Sequence, residues 1–145
     1  MTAKHESEAL INAILPLAEK MLRQYGEFYP YGAYMKPDGA IVEVGATDPV
    51  TDRPKSEDLI YILRSSLQDL AQRSQCKAVA MVFDVIVTLP NSHCKSDAIQ
   101  VCVEHSEHYS AEVFFPYSLI ENEVVYGETF DQRCKAEVFA DLNTP

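Results

Sequence analysis

One group of residues has the types needed to hold a metal ion: His93, Cys94, Cys102, His105 and His108. The run His105-Ser106-Glu107-His108 sets two imidazoles and a carboxylate around one predicted turn. Zinc needs three or four such ligands converging at about 2.0–2.3 Å. These spacings match no zinc motif, and no two of Cys76, Cys94, Cys102 and Cys134 form a C-x-x-C pair. The weak metal candidates are therefore His93, Cys94, His105 and His108. Their neutral reading is that of exposed turn and strand-edge residues. Cys94 as a nucleophile with His105 or His108 as its base is a further arrangement. Any chain with four cysteines and four histidines offers such a pair by chance. There is no G-x-S-x-G elbow, no G-x-G-x-x-G and no G-x-x-x-x-G-K phosphate loop. The reading assigns no catalytic residue and no cofactor.

Carboxylates are numerous but scattered. Asp84 stands out because it interrupts the apolar run Met81-Val82-Phe83-Asp84-Val85-Ile86-Val87. If buried it needs a partner or a raised pKa; the expectation is a solvated position on an open sheet face. The tyrosines are the most suggestive feature. Tyr25, Phe28, Tyr29, Tyr31 and Tyr34 crowd into ten residues around Pro30. Tyrosine supplies large contact area at low entropic cost and is enriched at interfaces. Phe28, Tyr29, Tyr31 and Tyr34 are therefore the candidate binding residues. The competing reading packs these rings at a helix–hairpin junction.

The chain must position these groups with 145 residues, 47% of them apolar and 23% charged. That suits one domain able to bury a core without disulfides or metals. A formal net charge of −10 argues against nucleic acid or an anionic membrane as partner. No apolar run reaches the ~18 residues of a membrane span. Acidic residues precede the first apolar stretch and Pro16 interrupts it, which does not read as a signal peptide. The expected compartment is the cytoplasm, with all four thiols free.

Leu10, Ile14, Leu17, Met21 and Tyr25 recur at helical spacing and predict a helix over 8–25, kinked or started late by Pro16 and stopped by Gly26. A hairpin follows, with strands from Tyr31 and from Ala40 to Gly45 about the turn Lys36-Pro37-Asp38-Gly39. Thr47 to Lys55 is a loop. A second helix spans 56–73, capped by Ser56, with Leu59, Ile60, Leu63, Leu67, Leu70 and Ala71 as its buried stripe. Lys77–Thr88, Asp97–His105 and Tyr109–Tyr117 alternate as strands. In the first of these, one face is expected to meet the helices and the other to be partly wet. Glu121-Asn122 turns the chain into a last strand, from Glu123 to about Phe130. The tail from Asp131 onward is ambiguous; Val138, Phe139 and Leu142 can anchor a short helix. The order α-β-β-α-β-β-β-β predicts an α+β two-layer sandwich. Two helices would lie on one face of a mostly antiparallel sheet of about five to six strands.

The hairpin Gly32-Ala33-Tyr34-Met35-Lys36-Pro37-Asp38-Gly39-Ala40-Ile41-Val42 sits between two helices and is followed by a strand meander. In element order this resembles roadblock-type and profilin-like domains. The resemblance implies a non-enzymatic module that dimerises and scaffolds partners. The strings Phe28-Tyr29-Pro30-Tyr31-Gly32-Ala33, Phe114-Phe115-Pro116-Tyr117 and Tyr126-Gly127-Glu128 are similar to small uncharacterised bacterial α+β proteins, a likeness that supplies no chemistry. The leading functional expectation is a protein-binding or scaffolding module acting through its surface, with self-association into a homodimer as one form. Three alternatives stand beside it. One is an immunity- or inhibitor-type acidic protein covering a basic toxin or enzyme. Another is a small hydrolase or metal enzyme built on the His/Cys group. The third is a small-ligand carrier with a pocket between helix and sheet.

Overall fold

The computed structural model describes residues 2–46, 54–134 and 136–139. Helix α1 spans Ala3–Tyr25 and strands β1 and β2 span Tyr31–Met35 and Ile41–Val44. Helix α2 spans Ser56–Gln72. Strands β3 (Ala78–Thr88), β4 (Lys95–His105), β5 (Tyr109–Ile120), β6 (Glu123–Tyr126) and β7 (Phe130–Gln132) complete the sheet. Its order is β2-β1-β3-β4-β5-β6, with β7 also paired to β5, and every pairing is antiparallel. The α+β class and the antiparallel sheet are as the sequence predicts. The strand count is seven because the segment expected as one last strand breaks in two. β6 pairs with Tyr117–Ile120 and β7 with Glu112–Phe114 of the same long strand.

Helix α1 begins five residues earlier than its apolar stripe suggests. Thr2 caps it, its hydroxyl accepting from the His5 N–H at 3.1 Å. Pro16 lies inside the helix on its exposed side, while Leu10, Ile14, Ala18 and Leu22 are buried opposite. That burial outweighs the lost backbone hydrogen bond. Gly26 ends the helix at φ +77, in the left-handed conformation glycine adopts without strain. In α2 the N-cap is Lys55, which makes no side-chain cap bond, so Ser56 is the first helical residue rather than the cap. The β1–β2 turn forms as expected. Gly39 takes φ +95 and Asp38 Oδ1 accepts from the Ala40 N–H at 2.9 Å.

The helices do not share a face. Leu10, Ile14 and Ala18 of α1 pack on Ala33, Ala78, Ala80, Val82, Ile99, Val101 and Val103. Leu63, Leu67 and Ala71 of α2 pack with Val79, Met81 and Phe83. These are the two alternating faces of β3, so the sheet is covered by α1 on one side and α2 on the other. The expectation of both helices on one face, with a partly wet reverse, is corrected accordingly. A run apolar on both faces, as Ala78–Phe83 is, marks a strand buried on both sides.

The tail forms no helix over its described part. Val138 and Phe139 are buried in the α2-side core; Leu142 lies outside the described residues. Glu104 of β4, 3% exposed, places Oε1 against the N–H groups of Glu137, Val138 and Phe139 at 3.0, 2.9 and 3.2 Å. Gln68 donates to the Glu137 carbonyl and Arg64 pairs with its carboxylate, tying the segment to α2 as well. The loop expected over 47–55 falls outside the described residues except for its last two positions.

Candidate functional site

The structure separates the residues that the metal and nucleophile readings require to meet. His93 and Cys94 lie before β4, and His105 ends it. Ten residues of extended chain at about 3.3 Å each hold the two groups roughly 33 Å apart. Among the described residues no group of three or more His, Cys, Asp or Glu side chains could hold a metal ion. His105 is 2% exposed and structural. Its Nδ1 accepts from the Glu107 N–H at 3.1 Å, so Nε2 carries hydrogen and donates to Glu6 Oε1 at 2.9 Å. Lys77 pairs with the other oxygen of Glu6. The Lys77 ammonium first, then the His105 ring, hold the Glu6 carboxyl below its usual range. This trio joins the start of α1 to the near ends of β3 and β4.

Three of the four thiols, those of Cys76, Cys102 and Cys134, are held protonated and are poor nucleophiles. Burial pushes Cys76 up to about 11 and Cys102 up to about 12, and it raises Cys134 as well. Glu112 adds to the shift at both Cys102 and Cys134.

The aromatic cluster divides. Tyr31 is core, its hydroxyl donating to the Ile14 carbonyl of α1 at 2.5 Å. Tyr34 is half-buried against the α2-side core. Phe28 is buried edge-on to Tyr31, with centroids 5.8 Å apart. Tyr29 is 53% exposed, and Tyr25, outside the candidate set, is 73% exposed. Of the four candidates, Phe28 and Tyr29 line a surface concavity. It measures about 500 Å³ and is bounded by Met21 and Tyr25 from the end of α1, by Glu27, Phe28 and Tyr29, by Ser56 and by Asp84.

Asp84 is half-buried rather than solvated. It accepts from the Tyr117 hydroxyl at 2.8 Å and from the Phe28 backbone N–H. Burial raises its pKa, those two hydrogen bonds oppose the rise, and Asp97 and Glu27 add to it. The signal was the charge interrupting an apolar strand. Its partner, 33 residues away in sequence, was not readable there.

At the same end of the molecule β3 outruns β1. β1 stops at Tyr31, paired with Val82, whereas β3 continues to Thr88 with β4 as its one strand partner among the described residues. On the α2 side of this extension lies a second concavity of about 300 Å³, formed by Phe28, Pro30, Ile60, Phe83 and Val85 with Ser56, Arg64, Asp84 and Gln100. The two concavities share Phe28, Ser56 and Asp84 and so adjoin one another at this end of the molecule.

No family model matches the chain, and neither the curated proteins nor the solved structures include a significant match. The likeness in element order to roadblock-type and profilin-like domains thus brings no function to this chain. Among the described residues no helix is long and apolar enough to cross a membrane.

Proposed function

We propose that the protein is a non-catalytic binding module that engages a partner protein through the end of the molecule carrying Tyr25 and Tyr29. The observation that supports this reading is the concavity framed by these two exposed rings beside the half-buried carboxylate of Asp84. Large aromatics at the rim of a concave, partly apolar site are the residues that dominate protein interfaces. His93 and Cys94 lie at the opposite end of β4 from His105, and among the described residues no group of three or more His, Cys, Asp or Glu side chains could hold a metal ion.

The test is a photo-cross-linking amino acid placed at Tyr25 or Tyr29 in the full chain, in cells of its own source. Glu107, in the turn at the other end of the sheet, is the control position. The expected result is a discrete adduct from the tyrosine positions alone. Excess wild-type protein competes it away, whereas a Tyr25→Ser/Tyr29→Ser variant does not. An adduct of twice the chain mass identifies the partner as a second copy. Adducts equal at Glu107, or uncompeted, overturn the proposal.

A further inference from the structure

We infer that the outer edge of β6 pairs antiparallel with the same edge of a second copy of this chain, about a two-fold axis at Val125. The two sheets then continue as one across the dimer.

β6 ends the strand order, and β5 is its one strand partner among the described residues. Every residue of β5, of β6 and of the links at both ends of β6 is described. The described chain after β7 leads away from this edge. The Cys134 carbonyl accepts from Ser110, and Glu137, Val138 and Phe139 dock on Glu104, which pairs with Ser110 at the opposite end of β5. Helix α1 meets β6 through side chains of one face: Val124 packs on the α1-side core, and the Tyr126 hydroxyl donates to Glu19.

Register decides which backbone groups point outward. The Gly127 N–H donates to the Pro116 carbonyl at 2.8 Å, in step with the pairs Ser118–Val125 and Ile120–Glu123. Glu123, Val125 and Gly127 therefore bond β5, while Val124 and Tyr126 turn their N–H and C=O groups away from it. A two-fold antiparallel copy must set outward residues against outward residues. A centre nearer the start of β6 draws in Asn122, a turn residue at φ +63. A centre nearer its end draws in Glu128, where the register with β5 slips by one residue before β7. A centre at Val125 uses β6 and Gly127 alone. Val124 then bonds the partner's Tyr126 and Tyr126 the partner's Val124, Val125 faces its own copy, and Glu123 faces the partner's Gly127.

The side chains suit that register. Valine against tyrosine is a favoured cross-strand pair, and each Glu123 meets a glycine, so no carboxylates stand directly opposite although each chain carries −10. The middle of the edge, Val124-Val125-Tyr126, has no charge or proline to blunt it. Val125 and Tyr126 are 46% and 38% exposed, with exposed Leu119 and Ile120 beside them on β5.

The test is sedimentation equilibrium of the full chain at low and high salt, with Val125→Lys, Val125→Glu and an equimolar mixture of the two. Circular dichroism and melting check that the variants fold. The expected result is a reversible monomer–dimer equilibrium that tightens with salt, which screens the repulsion between two acidic chains. Either variant alone weakens it at least about tenfold, and the mixture recovers the dimer because lysine then faces glutamate. In the wild type, the Val124 and Tyr126 amides exchange at least about tenfold more slowly as the dimer fills, and those of Glu123 and Val125 are slowed less.

A wild-type chain that keeps a single-chain mass up to about 1 mM overturns the inference. So does a dimer that Val125→Lys leaves intact, or a mixture no heavier than its components. Should a variant fail to fold, the wild-type exchange decides: Val124 and Tyr126 amides indifferent to concentration overturn the pairing. The seam shares no residue with the Tyr25–Tyr29 concavity, so its failure leaves the partner-binding reading standing.

Discussion

Glu104 offers the sharpest test of how this fold is held. Its single Oε1 receives three consecutive amide N–H groups, and two of the residues it fixes, Val138 and Phe139, are 4% and 1% exposed. A hydrogen bond to an ionised acceptor contributes about 1.5–3 kcal/mol. Three bonds sharing one oxygen do not sum, and a lifted segment regains water, so Glu104→Ala is expected to cost about 3 kcal/mol. Glu104→Gln keeps an acceptor oxygen without its charge and is expected to cost about 1–2 kcal/mol. Phe139→Ala removes a buried ring and is expected to cost about 3–5 kcal/mol. Both residues serve one docking event, so once either releases the segment the other has little left to lose. The double variant is expected to cost no more than Phe139→Ala alone, about 3–5 kcal/mol, a coupling of about 3 kcal/mol. Urea unfolding of the four proteins measures the cycle, and exchange of the amides of residues 137–139 reports release directly. Losses that add to within about 0.5 kcal/mol would refute the shared-docking argument.

Three further outcomes follow from the same structure. Gly32→Ala sets a Cβ 2.7 Å from the Ala80 carbonyl oxygen on the paired strand, and thermal unfolding should show a loss of about 1–3 kcal/mol with the fold retained. Glu6→Gln should cost about 2–3 kcal/mol near neutrality through its bonds to Lys77 and His105. Because the Glu6 pKa is lowered in the folded state, its contribution is complete above the ordinary carboxylate range and is lost as pH falls through the depressed value. Wild type and variant should therefore converge in acid, as urea midpoints across pH would show. Asp84→Asn has the opposite sign. Its raised pKa means that the folded state resists the charge, so the variant should melt higher than wild type near pH 7. That advantage should shrink as acid protonates Asp84, as melting curves at stepwise lower pH would show.

Much of the fold is local and was legible in the chain. Pro37-Asp38-Gly39 dictates its turn because only glycine sits at φ +95 without strain and the Asp38 carboxylate bonds the Ala40 N–H. Glu121 and Asn122 both take positive φ, the twist a two-residue hairpin demands. The stripe Leu59, Leu63, Leu67, Ala71 fixes which side of α2 is buried. Periodicity states which residues share a face, but not what covers that face. In β3 both alternations are apolar, Ala78, Ala80 and Val82 on one side and Val79, Met81 and Phe83 on the other. Only the packed molecule decides that α1 takes the first and α2 the second. The candidate site divides in the same way. Residue types alone offered a cluster of imidazoles and thiols, and an eleven-residue strand between them holds its halves apart. Asp84 showed itself as a charge in an apolar strand, yet its tie to Tyr117, and with it the shape of the Tyr25–Tyr29 concavity, exists only once distant strands pair. Propensity and turn chemistry act over a few residues, whereas convergence depends on strand register and on layer order, which are set when the whole chain buries its apolar surface at once.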